Sequence, residues 1–214
     1  MNNSRLSTKT EWHLKRYYRW NSLLYDATRW AILWGRAWFH NYLRIELKQI
    51  KKEYERLSII EVGCGTGYHI AALAPEFRDC MFYGYDVSVH MLDKASSKVS
   101  DLKNVQLRQE FFSSNSIERS SANCFICSYS ISMNEDIHHC IKAIHDTLST
   151  TGVLYVVDFI SSSSDWFNRW MILHGVYVQS EIISKLQYSF KSVEYETKRG
   201  FLGLYYYGII KAIK

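Results

Sequence analysis

Short apolar runs alternate with amphipathic segments along most of the chain. The apolar runs predict buried strands at about 57–62, 80–86, 105–111, 124–130 and 153–157. Helical periodicity occupies the intervals at about 68–75, 88–99 and 136–149. Strands that alternate with helices favour a parallel sheet with right-handed crossovers and helices on both faces. The segments 188–196 and 204–212 alternate apolar and polar residues and predict a terminal antiparallel hairpin.

The length of 214 residues suits one domain with a sizeable core and is short for two. Residues 10–54 predict helices joined near Asn21 and Ser22, so we expect 1–54 to form a helical lid. Residues 160–186 are expected to form an insertion on the substrate side. The N-terminus is polar and no long apolar window is free of charge, so neither a signal peptide nor a membrane span is expected. The expected location is the cytoplasm.

The strongest chemical signal lies in residues 57–67. An apolar run ends at three glycines spaced G-x-G-x-G, and a helix is predicted to begin at Tyr68. Glycine permits positive φ and lets a ligand approach bare backbone. The helix N-terminus supplies unpaired N–H groups and a partial positive charge. The pattern therefore predicts a site for a nucleotide-like cofactor.

The details of this loop separate it from a dinucleotide site. Dinucleotide sites use G-x-G-x-x-G, and here Tyr68 stands where the last glycine would be. Glu61, just before the loop, disfavours a pyrophosphate and suits a cationic ligand. Asp86, at the end of the second strand, is placed to bind both ribose hydroxyls. The Glu61-x-Gly-x-Gly-x-Gly loop followed by Asp86 resembles that of class I S-adenosylmethionine-dependent methyltransferases. The alternative is a structural glycine turn in another α/β protein.

This resemblance implies a Rossmann-like fold with a mostly parallel seven-stranded sheet and an antiparallel C-terminal strand. It also implies S-adenosylmethionine as cofactor. The glycines would pass beneath its methionine part, Glu61 would orient its ammonium group, and Glu110 with Phe111 would flank the adenine. The expected cofactor-binding residues are Arg36, Glu61, Gly63, Cys64, Gly65, Gly67, Asp86, Val87, Met91, Glu110, Phe111 and Ser128.

Further segments are similar to the methyltransferases that make betaine lipids by N-methylating diacylglyceryl-homoserine. They are residues 25–30 with Gly35-Arg36, then 128–133, 156–159 and 174–176. The chain departs from that family at 134–136, where Asn-Glu-Asp replaces an apolar-proline step, and at Gly175, which separates His174 from Val176. The resemblance implies a lipid amine as acceptor. Tyr25, Asp158 and His174 are then candidate catalytic residues, although each also suits a purely structural role.

The charge and the tryptophans are unevenly distributed. Residues 1–40 contain seven basic and two acidic residues, which accounts for the whole net charge of +5. The seven tryptophans fall into two groups: Trp12, Trp20, Trp30, Trp34, Trp38, then Trp166 and Trp170. Basic, tryptophan-rich segments favour contact with a membrane surface, and helix packing is the alternative. No motif for nucleic acid is present, so no nucleic-acid partner is expected.

Other acceptors and roles remain open. The methyl acceptor could be a soluble small molecule or a quinone ring carbon, and a non-enzymatic cofactor-binding subunit is a third reading. Tyrosine rings would attract the cationic product of N-methylation, and the candidates are Tyr17, Tyr18, Tyr25 and Tyr129. The five cysteines fall in predicted strands, the glycine loop and a helix. We expect buried thiols in a reducing compartment and no metal site, because Cys124-x-x-Cys127 has no second pair.

Overall fold

The computed structural model describes residues 33–117, 120–178 and 181–214. A seven-stranded sheet in the order β3-β2-β1-β4-β5-β7-β6 forms its centre. The strands are β1 (Ser58–Val62), β2 (Met81–Tyr85), β3 (Val105–Arg108), β4 (Ala122–Ser128), β5 (Leu148–Ser161), β6 (Ser192–Arg199) and β7 (Tyr206–Ile213). The first five strands are parallel, and β7 runs antiparallel to both β5 and β6. The mostly parallel sheet with an antiparallel C-terminal strand is confirmed, because among the described strands β7 alone runs against the direction of the others.

Helices cover both faces of the sheet, as predicted. They are α1 (Arg36–Ile50), α2 (Tyr68–Leu73), α3 (Val89–Val99), α4 (Ile137–Thr147), α5 (Asp165–Leu173) and α6 (Ile182–Ser189). Alternate residues of β1 point to opposite faces. Ile59 therefore packs with Leu43 of α1, whereas Ile60 packs with Ile144 of α4 in a separate core cluster. Burying both faces explains why the central strands read as continuous apolar runs.

Strand β5 differs most from its prediction. It was expected over 153–157 after a turn at Thr151-Gly152, but it extends from Leu148 to Ser161. The prediction was wrong because both ends have partners: Leu148 pairs with Ala122 of β4 at the start, and β7 pairs with β5 as far as Ser161 at the other end. The chain end extends this pairing, since Lys214 N donates to Gly152 O at 3.1 Å.

The N-terminal prediction is only partly accessible. Helix α1 matches the last part of the predicted helical segment, and the predicted helices before residue 33 lie outside the described residues. Over the described ranges, no helix combines the length and apolarity needed to cross a bilayer. The five cysteines are buried and none forms a disulfide, which agrees with the prediction of structural thiols.

Candidate active site

The glycine loop folds back against β2 and the segment after β4. Gly63, Gly65 and Gly67 have φ of +70°, +54° and +69°. The amides of Gly63 and Cys64 both donate to Tyr85 O, at 2.8 and 3.0 Å. A Cβ on Gly63 would lie 2.6 Å from Ser130 Cβ, so no side chain fits there. The loop therefore presents bare backbone at the carboxyl edge of the sheet.

Asp86 fastens this loop to the end of β2. The carboxylate is 7% exposed. Its Oδ2 accepts a hydrogen bond from Gly65 N at 2.8 Å, and its Oδ1 accepts one from Ser88 N at 2.9 Å. A carboxylate offers about four acceptor positions, so each oxygen retains capacity for a ribose hydroxyl.

A cavity opens between the glycine loop, the end of β2 and the segment after β4. The space between these elements measures about 500 Å³ with its open mouth included. Five predicted cofactor residues border it: Gly63, Asp86, Val87, Glu110 and Phe111. The geometry thus fits a nucleoside. Bare backbone and the Asp86 carboxylate, which can accept hydrogen bonds from ribose hydroxyls, lie on one side, and apolar side chains lie on the other.

The cavity is also bordered by residues that the sequence analysis did not assign to the cofactor, among them Ser130, Met133 and Asn134 after β4. Met133 packs against Val87 and Met91, together with Phe111, and these side chains form the apolar slot. Their position in the sequence could have indicated this role, because they follow β4, which ends at the same edge of the sheet as β1 and β2.

The other predicted cofactor residues do not border the cavity. Glu61 is 3% exposed within β1, and Cys64 is buried in the core. Burial raises the pKa of the Cys64 thiol well above its usual value, so this side chain stays protonated. Ser128 ends β4, and within the described ranges its buried Oγ has no hydrogen-bond partner.

Arg36 and two histidines lie beside the loop where α1 meets α2. The Arg36 guanidinium stands 4.0 Å from the centre of the Tyr68 ring, immediately after the last loop glycine. His69 is fully buried, and its Nδ1 lies 3.4 Å from His40 Nδ1. Burial, and then the charge of Arg36, lower the pKa of His69 well below its usual value. The histidine is therefore neutral at pH 7, and Arg36 supplies positive charge at this side.

Two tyrosines hold the backbone of Trp34 through hydrogen bonds. The Tyr129 hydroxyl donates to Trp34 O, and Trp34 N donates to Tyr205 Oη at 3.3 Å. Tyr129 is 4% exposed, has φ +55° and packs against Phe159 at 4.7 Å between ring centres. This ring, a candidate for binding the methylated cation, is thus largely occupied in packing.

The candidate catalytic residues take different positions. Asp158 is fully buried in β5, where it accepts from Ser132 N at 3.0 Å and Phe159 N at 2.8 Å. Burial raises the pKa of Asp158 to about 6, against the opposing effect of these hydrogen bonds. His174 follows α5, with Nδ1 2.6 Å from Trp170 O. Neither borders the cavity, and Tyr25 lies outside the described residues, so their catalytic roles stay predictions.

An apolar face lies on α5 and the adjoining turn, next to the Trp34 peptide. We define it by five side chains that are 45–88% exposed: Trp34, Trp166, Ile172, Leu173 and Leu202. Its parts are joined, because Phe167 of α5 stacks on Tyr205 at 5.3 Å and Trp34 contacts Phe201 at 6.3 Å between ring centres. Exposed apolar patches of this kind mark interaction sites.

A metal centre has no basis in the described part of the chain, which contains no group of three or more His, Cys, Asp or Glu arranged to bind one.

Comparison with known proteins places the site in context. Residues 59–152 match the family described as "Methyltransferase domain". Carboxy-S-adenosyl-L-methionine synthase of Helicobacter pylori strain G27 is 30% identical over 137 residues, which cover 62% of this chain and 56% of the relative. The chain thus spans little more than half the length of the curated relatives it matches.

Solved structures share the fold. Phosphoethanolamine N-methyltransferase 2 of Haemonchus contortus, in complex with S-adenosylhomocysteine, superposes with a TM-score of 0.63 at 16% identity, over 74% of this chain and 48% of that one. Geranyl diphosphate methyltransferase gives 0.63 at 15%, over 73% and 71%. The YcgJ protein of Bacillus subtilis gives 0.59 at 15%, over 78% and 97%.

These matches agree with the predicted enzyme class, cofactor and fold, whereas the closer resemblance to betaine-lipid enzymes stays a prediction. Residues 59–152 therefore carry a methyltransferase domain, within a chain that shares the fold of solved S-adenosylmethionine-dependent methyltransferases.

Proposed function

We propose that this enzyme N-methylates the amine head group of a membrane lipid of the betaine type, working at the bilayer surface. The observation that carries the proposal is the apolar face, which Trp34 connects through Tyr129 to the segment after β4 that borders the cavity. Trp166, Leu173 and Leu202 are 68%, 81% and 88% exposed. A soluble enzyme rarely leaves such a cluster in water, whereas tryptophan and leucine insert readily at a membrane interface.

The basic residues of α5 and of the N-terminal sequence suit an anionic bilayer. Arg169 lies exposed on α5 between Trp166 and Leu173. The sequence that precedes Trp34 contains six basic and two acidic residues. Each basic residue near an anionic leaflet contributes about 1 kcal/mol, so this excess supports reversible binding.

The cofactor side follows from the geometry of the loop. Asp86 would hold the ribose, the apolar slot with Glu110 would hold the adenine, and the glycine loop would run beneath the methionine part. Glu61 would orient the ammonium group, and Arg36 would pair with a carboxylate. When bound, S-adenosylmethionine supplies an electrophilic methyl group. Residues 1–54 and 160–186 would then enclose the acceptor.

The protein contributes mainly position to such a transfer. Holding an amine in line with the methyl group contributes up to roughly 7–11 kcal/mol of the barrier. The acceptor amine must be neutral, and burial lowers the pKa of an amine. Asp158 and His174 remain the candidates for receiving the proton or holding the substrate ammonium. The H. contortus structure with phosphomonomethylethanolamine shows that this fold accommodates a small amine acceptor in another protein.

A lipid assay tests the proposal. The protein is incubated with isotope-labelled S-adenosylmethionine and either lipid extract in anionic vesicles or a water-soluble metabolite extract, and the products are identified by mass spectrometry. We expect label in an amine-headgroup lipid, with turnover that rises with the anionic lipid fraction.

The other outcomes separate the alternatives. Label only in soluble molecules or a quinone precursor would contradict a lipid acceptor. A nucleoside that gains a carboxyl group would instead match the activity named for the H. pylori relatives. No transfer to either extract, with the cofactor bound, would favour a cofactor-binding subunit.

A further inference from the structure

Asn134 has a fixed orientation at the wall of the cavity. It follows the short 3-10 turn Ile131–Met133 and is 7% exposed. Its Nδ2 donates to Ser130 O at 2.8 Å. A carbonyl oxygen can only accept, so the amide group must turn its NH₂ toward Ser130 and its Oδ1 the other way. None of the described residues donates a hydrogen bond to that Oδ1.

The surroundings of Asn134 suit an aromatic base. Asn134 and Phe111 border the same cavity as Asp86. Val87, Met91 and Met133 supply the remaining apolar contacts of the slot. With the ribose at Asp86, a base in this slot presents its polar edge to the cavity wall. The Oδ1 of Asn134, a residue of the cavity wall, would accept a hydrogen bond from a donor on the base.

We propose that Asn134 accepts a hydrogen bond from the exocyclic amine of adenine and selects adenosine over nucleosides with oxygen at that position. This inference rests on the cofactor being S-adenosylmethionine and does not depend on the acceptor. An inosine base places a carbonyl oxygen opposite Oδ1, and two acceptors repel each other. Glu110 also borders the cavity, and it is the competing acceptor that an experiment must separate.

Calorimetric titration with S-adenosylhomocysteine and S-inosylhomocysteine tests this role. We expect the wild-type protein to prefer the adenosyl ligand by more than about tenfold, and Asn134→Ala to reduce that preference about three- to tenfold, as the loss of one hydrogen bond predicts. Asn134→Ser retains a hydroxyl that can donate to Ser130 O, and it carries the same expectation if the alanine variant does not fold. Glu110→Ala removes the competing acceptor and should weaken the two ligands by similar factors, and Asp93→Asn on the exposed face of α3 is the control that should leave both affinities unchanged.

Three results would overturn the inference: equal wild-type affinity for the two ligands, an equal loss of both in the Asn134 variants, or a preference that disappears in Glu110→Ala. Failure of both ligands to bind would instead contradict the cofactor assignment itself.

Discussion

The two halves of the site are built on opposite principles. On the cofactor side, polar groups are buried and held by short contacts, as with Asp86 and the Gly65 and Ser88 amides. On the proposed acceptor side, large apolar groups are exposed, with Leu173 and Leu202 more than four-fifths open to solvent. A preformed ligand site needs the first arrangement, and a surface that binds a bilayer needs the second. The difference separates the residues proposed to recognise the cofactor from those proposed to recognise the acceptor.

The largest effect should come from filling the cofactor loop. Gly63→Ala places a Cβ 2.6 Å from Ser130 Cβ at a residue with φ +70°. Because the loop must shift, we expect the affinity for S-adenosylhomocysteine to fall about 100-fold, measured by calorimetry.

A matched control separates this overlap from backbone strain. Gly203 has φ +78° but nothing within 4 Å of an added Cβ. Gly203→Ala should cost only strain of about 1–3 kcal/mol in unfolding free energy and leave cofactor affinity unchanged. Equal losses of affinity in both variants would show that the overlap with Ser130 is irrelevant.

The next effect tests the carboxylate. Asp86→Ala removes the acceptor for Gly65 N and for the proposed ribose contact. Charge-assisted hydrogen bonds contribute about 1.5–3 kcal/mol, so S-adenosylhomocysteine should bind about 10- to 100-fold more weakly. Asp93→Asn on the exposed face of α3 is the control, and unchanged affinity in Asp86→Ala would remove this residue from the site.

The acceptor side should respond in a different measurement. Trp166→Ser combined with Leu173→Ser removes two members of the apolar face, so binding to anionic vesicles should weaken by at least about tenfold. Affinity for S-adenosylhomocysteine should not change. Tyr188→Ser changes another exposed ring, 88% accessible on α6, and serves as control. If cofactor affinity falls as much as vesicle binding, the face has a packing role instead.

The smallest effect concerns pH. The pKa of His69 is lowered well below its usual value, mainly by burial. The unfolded chain therefore binds a proton near pH 6.5 that the folded chain does not, and stability falls as the pH drops below that value. His69→Phe should reduce the loss in unfolding free energy between pH 7 and pH 5.5 by about 1 kcal/mol.

Denaturant titrations at the two pH values measure this difference. The exposed His138→Gln is the control and should keep the wild-type slope. A wild-type slope in His69→Phe would mean that His69 is not the group responsible.

The difference between the two sides also explains what the sequence could predict. Gly63 and Asp86 could be predicted because a tight loop and a carboxylate at a strand end require particular residue types at a fixed spacing. Helix α3 was predicted from Ser88, whose Oγ caps it by accepting from Met91 N. The extended β5 was missed because its length depends on β7, a distant partner. Asn134 and the apolar face were missed because orientation and exposure arise from packing between remote segments.

The two hydrogen bonds to the backbone of Trp34 have a consequence for how the protein folds. The backbone of this one residue is bound through its carbonyl oxygen by a residue 95 positions away and through its N–H by one 171 positions away. We expect contacts between such distant residues to form late in folding, because closing a long loop costs entropy before the contact contributes any favourable free energy. The residues proposed to bind the nucleoside lie between Gly63 and Asn134, so all of them precede the C-terminal strands in the sequence. We therefore expect a chain truncated before β7 to retain these residues and to lose the C-terminal contacts that hold Trp34.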